Sequence, residues 1–135
     1  MNYGPPITNE KAKSVAAAAF AEARKNGWAV TIAIVDISGE LVYFEKMDDA
    51  LFGAIDTAID KARSAARFKE STKELQELVG RGGEGLRVLG MTGAVPINGG
   101  EPLVIAGKIV GAIGVSGIPA ALDGQIAVAA ARSLS

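Results

Sequence analysis

A chain with no histidine and no cysteine must do its chemistry with carboxylates, lysine, tyrosine, serine and backbone groups. The Ser-His-Asp and Cys-His nucleophile systems and the His-bearing zinc sites are excluded by composition, and so are disulfides and thiol chemistry. General acid–base work would fall to Asp, Glu, Lys or Tyr, and near neutral pH it would need burial to tune a Glu up or a Lys down. Asp48, Asp49, Asp56 and Asp60 offer oxygen ligands of the kind a hard cation takes. Acids near a helix start are favoured by the macrodipole in any case, and Asp56 and Asp60 at i, i+4 form a solvated face, so no metal is expected. Met47 and Met91 are candidate soft ligands to haem iron, although methionine more commonly fills a core. The run Gly111-Ala112-Ile113-Gly114-Val115-Ser116-Gly117 looks superficially like a dinucleotide fingerprint but lacks its context, an early βαβ unit. A glycine-kinked strand explains it better. The loop 80–85 lacks the Gly-Lys-Ser/Thr ending of a phosphate loop.

The elements that must position these residues follow from periodicity. Thr8 precedes apolar residues Ala12, Val15, Ala16, Ala19, Phe20 and Ala23 at helical spacing, and Asn26-Gly27 stops the run, which predicts a one-faced helix. The stretch 28–36, WAVTIAIVD, is apolar on both alternating faces and predicts a central strand covered on both sides. Asp36-Ile37-Ser38-Gly39 is a turn sequence, and 40–46 alternates as the second strand of a hairpin. A helix over 54–68 turns Ile55, Ala58, Ile59, Ala62, Ala65 and Ala66 inward. This face is mostly alanine, which buries less area than leucine and would leave burial for a subunit interface to supply. Ser71-Thr72 starts a short helix over 73–79, and the four glycines of 80–85 predict an irregular, mobile loop. Strands are expected around Val95-Pro96-Ile97, over 102–106 and over 109–116, with a turn at Gly107-Lys108 and a last helix over 120–134. Helices alternating with hairpins, without βαβ spacing, argue for an antiparallel sheet with helices against it.

Composition narrows the partners. With 135 residues the chain fits one domain with one core, spanning 1–135. A net charge of −1 without a Lys/Arg run leaves no footprint for a phosphate backbone, so nucleic acid is not an expected partner. No stretch reaches the length of a membrane span, and the start has no signal-peptide pattern, so a cytoplasmic location with no membrane partner is the expectation.

Two blocks carry a resemblance. Val35-Asp36, Gly39-Glu40-Leu41 and Phe44-Glu45-Lys46-Met47-Asp48-Asp49-Ala50 with Gly53, continuing through Ile55, Ala58, Lys61-Ala62, Ala65, Phe68, Thr72 and Leu75, form the first. Asn98-Gly99-Gly100-Glu101-Pro102-Leu103 and the run 107–117, with Asp123 beyond it, form the second. Together they resemble the GlcG/HbpS-like family. The resemblance implies a profilin-like three-layer α/β/α sandwich with a five-stranded antiparallel sheet, and homo-oligomers. It also implies a function among haem-binding and haem-degrading proteins, domains attached to cobalamin adenosyltransferases, and small proteins of glycolate, diol or aromatic catabolism. Fold alone does not choose among these.

Haem or another tetrapyrrole is the cofactor the resemblance suggests. Without histidine, Tyr3, Tyr43, Met47, Met91 or a lysine would have to ligate iron, or apolar burial and propionate partners such as Arg81 and Arg87 would have to hold the macrocycle. The leading expectation is a ligand-binding accessory protein that takes a tetrapyrrole or a small organic acid. The alternatives are a catabolic enzyme acting on a small carboxylate, with Lys61 as its candidate acid–base, and a structural assembly subunit. At Lys61 a salt-bridged or snorkelling structural lysine is the stronger reading. The ligand pocket is expected where the two blocks meet, around Met47, Asp48, Gly53, Lys61, Gly99, Gly100 and Ser116. Gly53 opens a helix whose N–H groups favour an anion, Gly99-Gly100 would offer bare backbone donors, and Lys61 would add a charge-assisted bond.

Overall fold

The computed structural model describes residues 1–134. The first helix, α1 (Asn9–Lys25), starts where Thr8 Oγ1 accepts from the Lys11 amide at 3.2 Å, and the six apolar residues read from its periodicity are all buried. Strands β1 (Thr31–Asp36) and β2 (Leu41–Lys46) form the expected hairpin. In its turn Asp36 Oδ1 accepts from the amides of Ser38 and Glu40, and Gly39 takes φ +91°. Helix α2 (Ala54–Phe68) has the bounds its pattern predicts. Helix α3 (Thr72–Arg81) is capped by Ser71, and a 3₁₀ segment, Gly83–Gly90, follows it. Strands β3 (Gly100–Ile105) and β4 (Lys108–Ser116) are joined through Ala106 and Gly107, both at positive φ, the backbone of a tight hairpin turn. Helix α4 (Ala120–Arg132) closes the chain.

The sheet has four antiparallel strands in the order β2-β1-β4-β3, not five. The strand expected at Val95-Pro96-Ile97 is a connector. Pro96 has no N–H to give a ladder, the Val95 amide donates to Ser64 Oγ of α2 at 3.0 Å, and the Asn98 amide donates to Gln76 Oε1 of α3 at 2.8 Å. Those hydrogen bonds tie the segment to helices. At the other end of β4 the N-terminal segment pairs locally, with Gly4 N–H on Ile109 O and Ile109 N–H on Asn2 O. The 80–85 stretch is also more regular than its glycines suggest, because α3 runs through Gly80 and the 3₁₀ segment takes Gly83 and Gly85. Gly85 is buried where a Cβ would run into the Leu78 carbonyl, so this glycine permits a close turn rather than disorder.

Helices cover both faces of the sheet. On one side α1 and α4 pack over Ile32, Ile34, Ile113 and Val115. On the other, Ala58, Ala62, Ala65 and Ala66 of α2 pack on Ala33, Val35 and Ala112. Those alanines are fully buried within the single chain, so the alanine face does not wait for a second subunit. Its purpose is close approach: a Cβ at Gly114 would overlap the Ala58 carbonyl. No helix among the described residues is long and apolar enough to cross a membrane.

Candidate functional site

The N-terminus of α2 opens into a cavity of about 400 Å³ lined by Leu51, Gly53, Thr57, Ser116, Ile118 and neighbours. Gly53 is the N-cap and brings no side-chain cap. The first two amides of the helix, Ala54 and Ile55, donate to the Leu51 and Phe52 carbonyls at 3.0 and 3.3 Å, so what the helix end offers the cavity is its dipole rather than those two N–H groups. A Cβ at Gly53 would meet nothing within 4 Å, hence the glycine leaves room rather than relieving a clash. Opposite stands Ser116, the last residue of β4. The residue is 7% exposed; its hydroxyl makes no hydrogen bond among the described residues and is not one of the buried unpaired polar atoms, so it is open to the cavity. Leu51 and Phe52 lie beside the mouth, 65% and 87% exposed. A helix end, an unpaired hydroxyl and an apolar lip together suit a carboxylate carried on an apolar body.

Behind this cavity sits a buried ion pair. Lys61 of α2 is 1% exposed, and its Nζ donates to Val115 O at 3.0 Å and to Asp123 Oδ2 at 3.1 Å. Asp123 Oδ1 accepts from the Ile118 amide at 3.3 Å, so the pair braces the 115–118 wall of the cavity from within. Burial lowers the Lys61 ammonium, opposed by the Asp123 charge. Burial likewise raises the Asp123 carboxyl to about 6, opposed by Lys61. Both shifts have one cause, the loss of water around a charge.

The expected site residues therefore divide. Gly53 and Ser116 line the cavity. Lys61, Gly99 and Gly100 come together, but behind the wall: a Cβ at Gly99 would lie 2.8 Å from Lys61 Nζ, and one at Gly100 2.5 Å from Lys61 O. These glycines let the lysine pack. They are not bare donors toward a ligand, because the Gly100 amide donates to Thr72 Oγ1 at 2.7 Å and both residues are buried. Met47 and Asp48 fall outside the lining. Met47 Sδ accepts from the Val30 amide at 3.4 Å and packs against the α1–α4 core, whereas Asp48 is exposed. Asp123 is the residue that sequence reasoning passed over, although a fully buried lysine requires a counter-charge and Asp123 was an acid in the second matching block.

The residues considered for iron do not converge. The Tyr3 hydroxyl donates to Ala66 O at 2.6 Å and the Tyr43 hydroxyl to Glu45 Oε1 at 2.6 Å, while Met47 is engaged as above and Met91 follows the 3₁₀ segment. Arg81 and Arg87 are exposed around that segment, away from the cavity lining. Among the described residues no group of three or more acids is placed to hold a metal ion.

A family model described as haem degrading protein HbpS-like matches residues 7–132. The chain belongs to the HbpS-like family. Protein GlcG of Escherichia coli is 37% identical over 112 residues, 82% of this chain and 81% of that protein. A double mutant of Streptomyces reticuli HbpS superposes with a TM-score of 0.87 at 31% identity, covering 100% of this chain and 91% of the other. The PduOC:haem complex superposes with a TM-score of 0.84 at 28% identity, with 96% of each chain covered. HbpS-like chains thus share the three-layer arrangement described above, and a relative of similar fold has been crystallised with haem.

Proposed function

We propose that this HbpS-like protein binds an apolar carboxylate, a haem-like tetrapyrrole or a small organic acid, through the N-terminus of α2 and without an iron–histidine bond, as an accessory protein in a catabolic setting. The observation that carries this reading is the juxtaposition, in one cavity, of the α2 N-terminus, which has no side-chain cap, with the Ser116 hydroxyl, which reaches the cavity surface without a partner among the described residues. An oxyanion there would accept from that hydroxyl and lie at the positive end of the helix dipole. The relative seen with haem supports the tetrapyrrole, whose propionates are carboxylates on an apolar ring. The donor set of this chain fits the propionates and the ring better than the metal, since the tyrosine hydroxyls and the Met47 sulfur are already engaged. The catabolic-enzyme reading is disfavoured by Lys61, whose ammonium is enclosed and committed to Val115 and Asp123 rather than presented to a substrate.

Titration with haemin and with iron-free protoporphyrin IX tests the proposal. Both porphyrins are expected to bind with affinities within about threefold of each other, because removing the iron removes nothing the site uses. Gly53→Val should weaken both by about tenfold or more, a loss of roughly 1.4 kcal/mol, without unfolding the chain, since its side chain points into open space. Tight haemin binding with no protoporphyrin binding, or full affinity in Gly53→Val, would overturn the reading.

A further inference from the structure

A second cleft, of about 380 Å³, lies between α4, the start of β3 and the N-terminal turn of α3, and shares no residue with the cavity at α2. Two of its polar side chains, Asn98 and Glu101, make no side-chain hydrogen bond among the described residues. Asn98 is fixed through its backbone, whose N–H donates to Gln76 Oε1 at 2.8 Å, while its amide makes no hydrogen bond among the described residues. That amide rests against α4 at Gly124, where a Cβ would overlap it. A glycine inside a helix costs about 1 kcal/mol relative to alanine, so α4 gives up stability at the point where the amide is seated. Glu101 of β3 lines the same cleft with no hydrogen bond or ion pair among the described residues. Burial and the neighbouring charge of Glu74 raise its carboxyl, opposed by Lys73 and Arg132. Lys73 comes from the first turn of α3. The remaining acid, Glu22, is occupied with Gln125 at 3.0 Å.

The lining thus carries two acids, Glu22 and Glu101, and two bases, Lys73 and Arg132. A half-buried carboxylate without a donor asks for an ammonium, which supplies both the hydrogen bonds and the compensating charge. A lone anion would face Glu101, and a lone cation would face Lys73 and Arg132. We propose that the cleft between α4, β3 and α3 is a binding site for a small zwitterion of the amino-acid type, with its ammonium between the Glu101 carboxylate and the Asn98 amide and its carboxylate toward Lys73. The site is independent of the porphyrin reading. It makes the protein a two-ligand binder, one site apolar and anion-directed, the other polar and charge-balanced.

Calorimetric titration of the purified protein with glycine, L-serine, L-glutamate and L-lysine, and with lactate and ethanolamine as singly charged controls, decides the matter. At least one amino acid is expected to bind about tenfold more tightly than either control. Glu101→Gln keeps the side chain's shape and Lys73→Ala removes an exposed one, so both variants should retain the wild-type thermal midpoint. Each should weaken that amino acid about tenfold. Gly124→Ala, which displaces the Asn98 amide, should weaken it as well, and Gly53→Val should leave it unchanged. Absence of amino-acid binding at millimolar concentration, equal binding of lactate or ethanolamine, or unchanged affinity in both Glu101→Gln and Lys73→Ala would overturn the proposal.

Discussion

Lys61 has surroundings that could make a reagent of a lysine, yet it is held as an architectural tie. A lysine in an alanine-rich helix face has the composition of an activated base, and its environment does lower its ammonium. The same environment encloses it, and the hydrogen bonds to Val115 O and Asp123 link α2, β4 and α4. Taking both charges out of water is costly, and their attraction offsets that cost only while both are present. Lys61→Met is therefore expected to destabilise the fold by about 3 to 5 kcal/mol in chemical denaturation, because it strands a buried carboxylate, while Lys61→Met with Asp123→Leu should recover most of the loss. A double variant as unstable as the single one would contradict this. The pH dependence follows from the direction of the Asp123 shift. Its carboxyl is raised from 3.8 to about 6, so between those values the folded chain holds the proton more tightly than the unfolded chain. The contribution of Asp123 to stability is thus greatest at low pH and declines as pH rises from about 4 to about 6. The thermal midpoint of wild type minus that of Asp123→Asn should fall across this window, and a difference that rises instead would mean that the carboxylate is net stabilised by its partners.

At the scale of elements, α2 and β4 are matched by absence of side chain. The helix presents alanines and the strand answers with Gly114, so that helix backbone comes against sheet backbone. Gly114→Ala would force its methyl into the Ala58 carbonyl and push the two layers apart. A loss of about 3 kcal/mol or more is expected, at the upper end of overpacking effects. Gly53→Ala, at the free end of the same helix, puts its methyl into open space at φ −64°. It should change stability by less than about 0.5 kcal/mol, as surface substitutions usually do. Paired denaturation curves test the contrast, and equal effects would show that the helix and sheet can separate without cost. Ser116 follows Gly114 on the same face of β4, two residues on, and lines the cavity beside the start of α2 with Gly53, Ala54 and Thr57.

For the molecule as a whole, the expected homo-oligomer needs a different argument from alanine content, since the α2 face is already buried in one chain. The exposed apolar residues supply one. Leu51 and Phe52 stand at the mouth of the α2 cavity, and Leu86, Leu89 and Ile97 are exposed on the 3₁₀ segment and the connector after it. Light scattering at micromolar concentration is expected to give a symmetric multiple of 13.8 kDa, with Phe52→Ser and Leu89→Ser together lowering it. A wild-type mass of 13.8 kDa would refute the assembly. What the sequence determined by itself is the local layer of this protein. The caps at Thr8 and Ser71, the Asp36 turn, the bounds of α2 and the burial of β1 on both faces are set by neighbours within a few residues, and short-range periodicity reports them. The absence of histidine and cysteine likewise restricts the chemistry without any fold. Only the tertiary structure decided that Val95-Pro96-Ile97 is a connector, because the partners of its amides lie on helices some 20 to 30 residues earlier in the chain. It alone divided the expected pocket, placing Gly53 and Ser116 on the cavity and Lys61, Gly99 and Gly100 behind it. The physical reason is that a lysine's role depends on where its charge is answered, and the answer, Asp123, lies 62 residues away, beyond the reach of any local pattern.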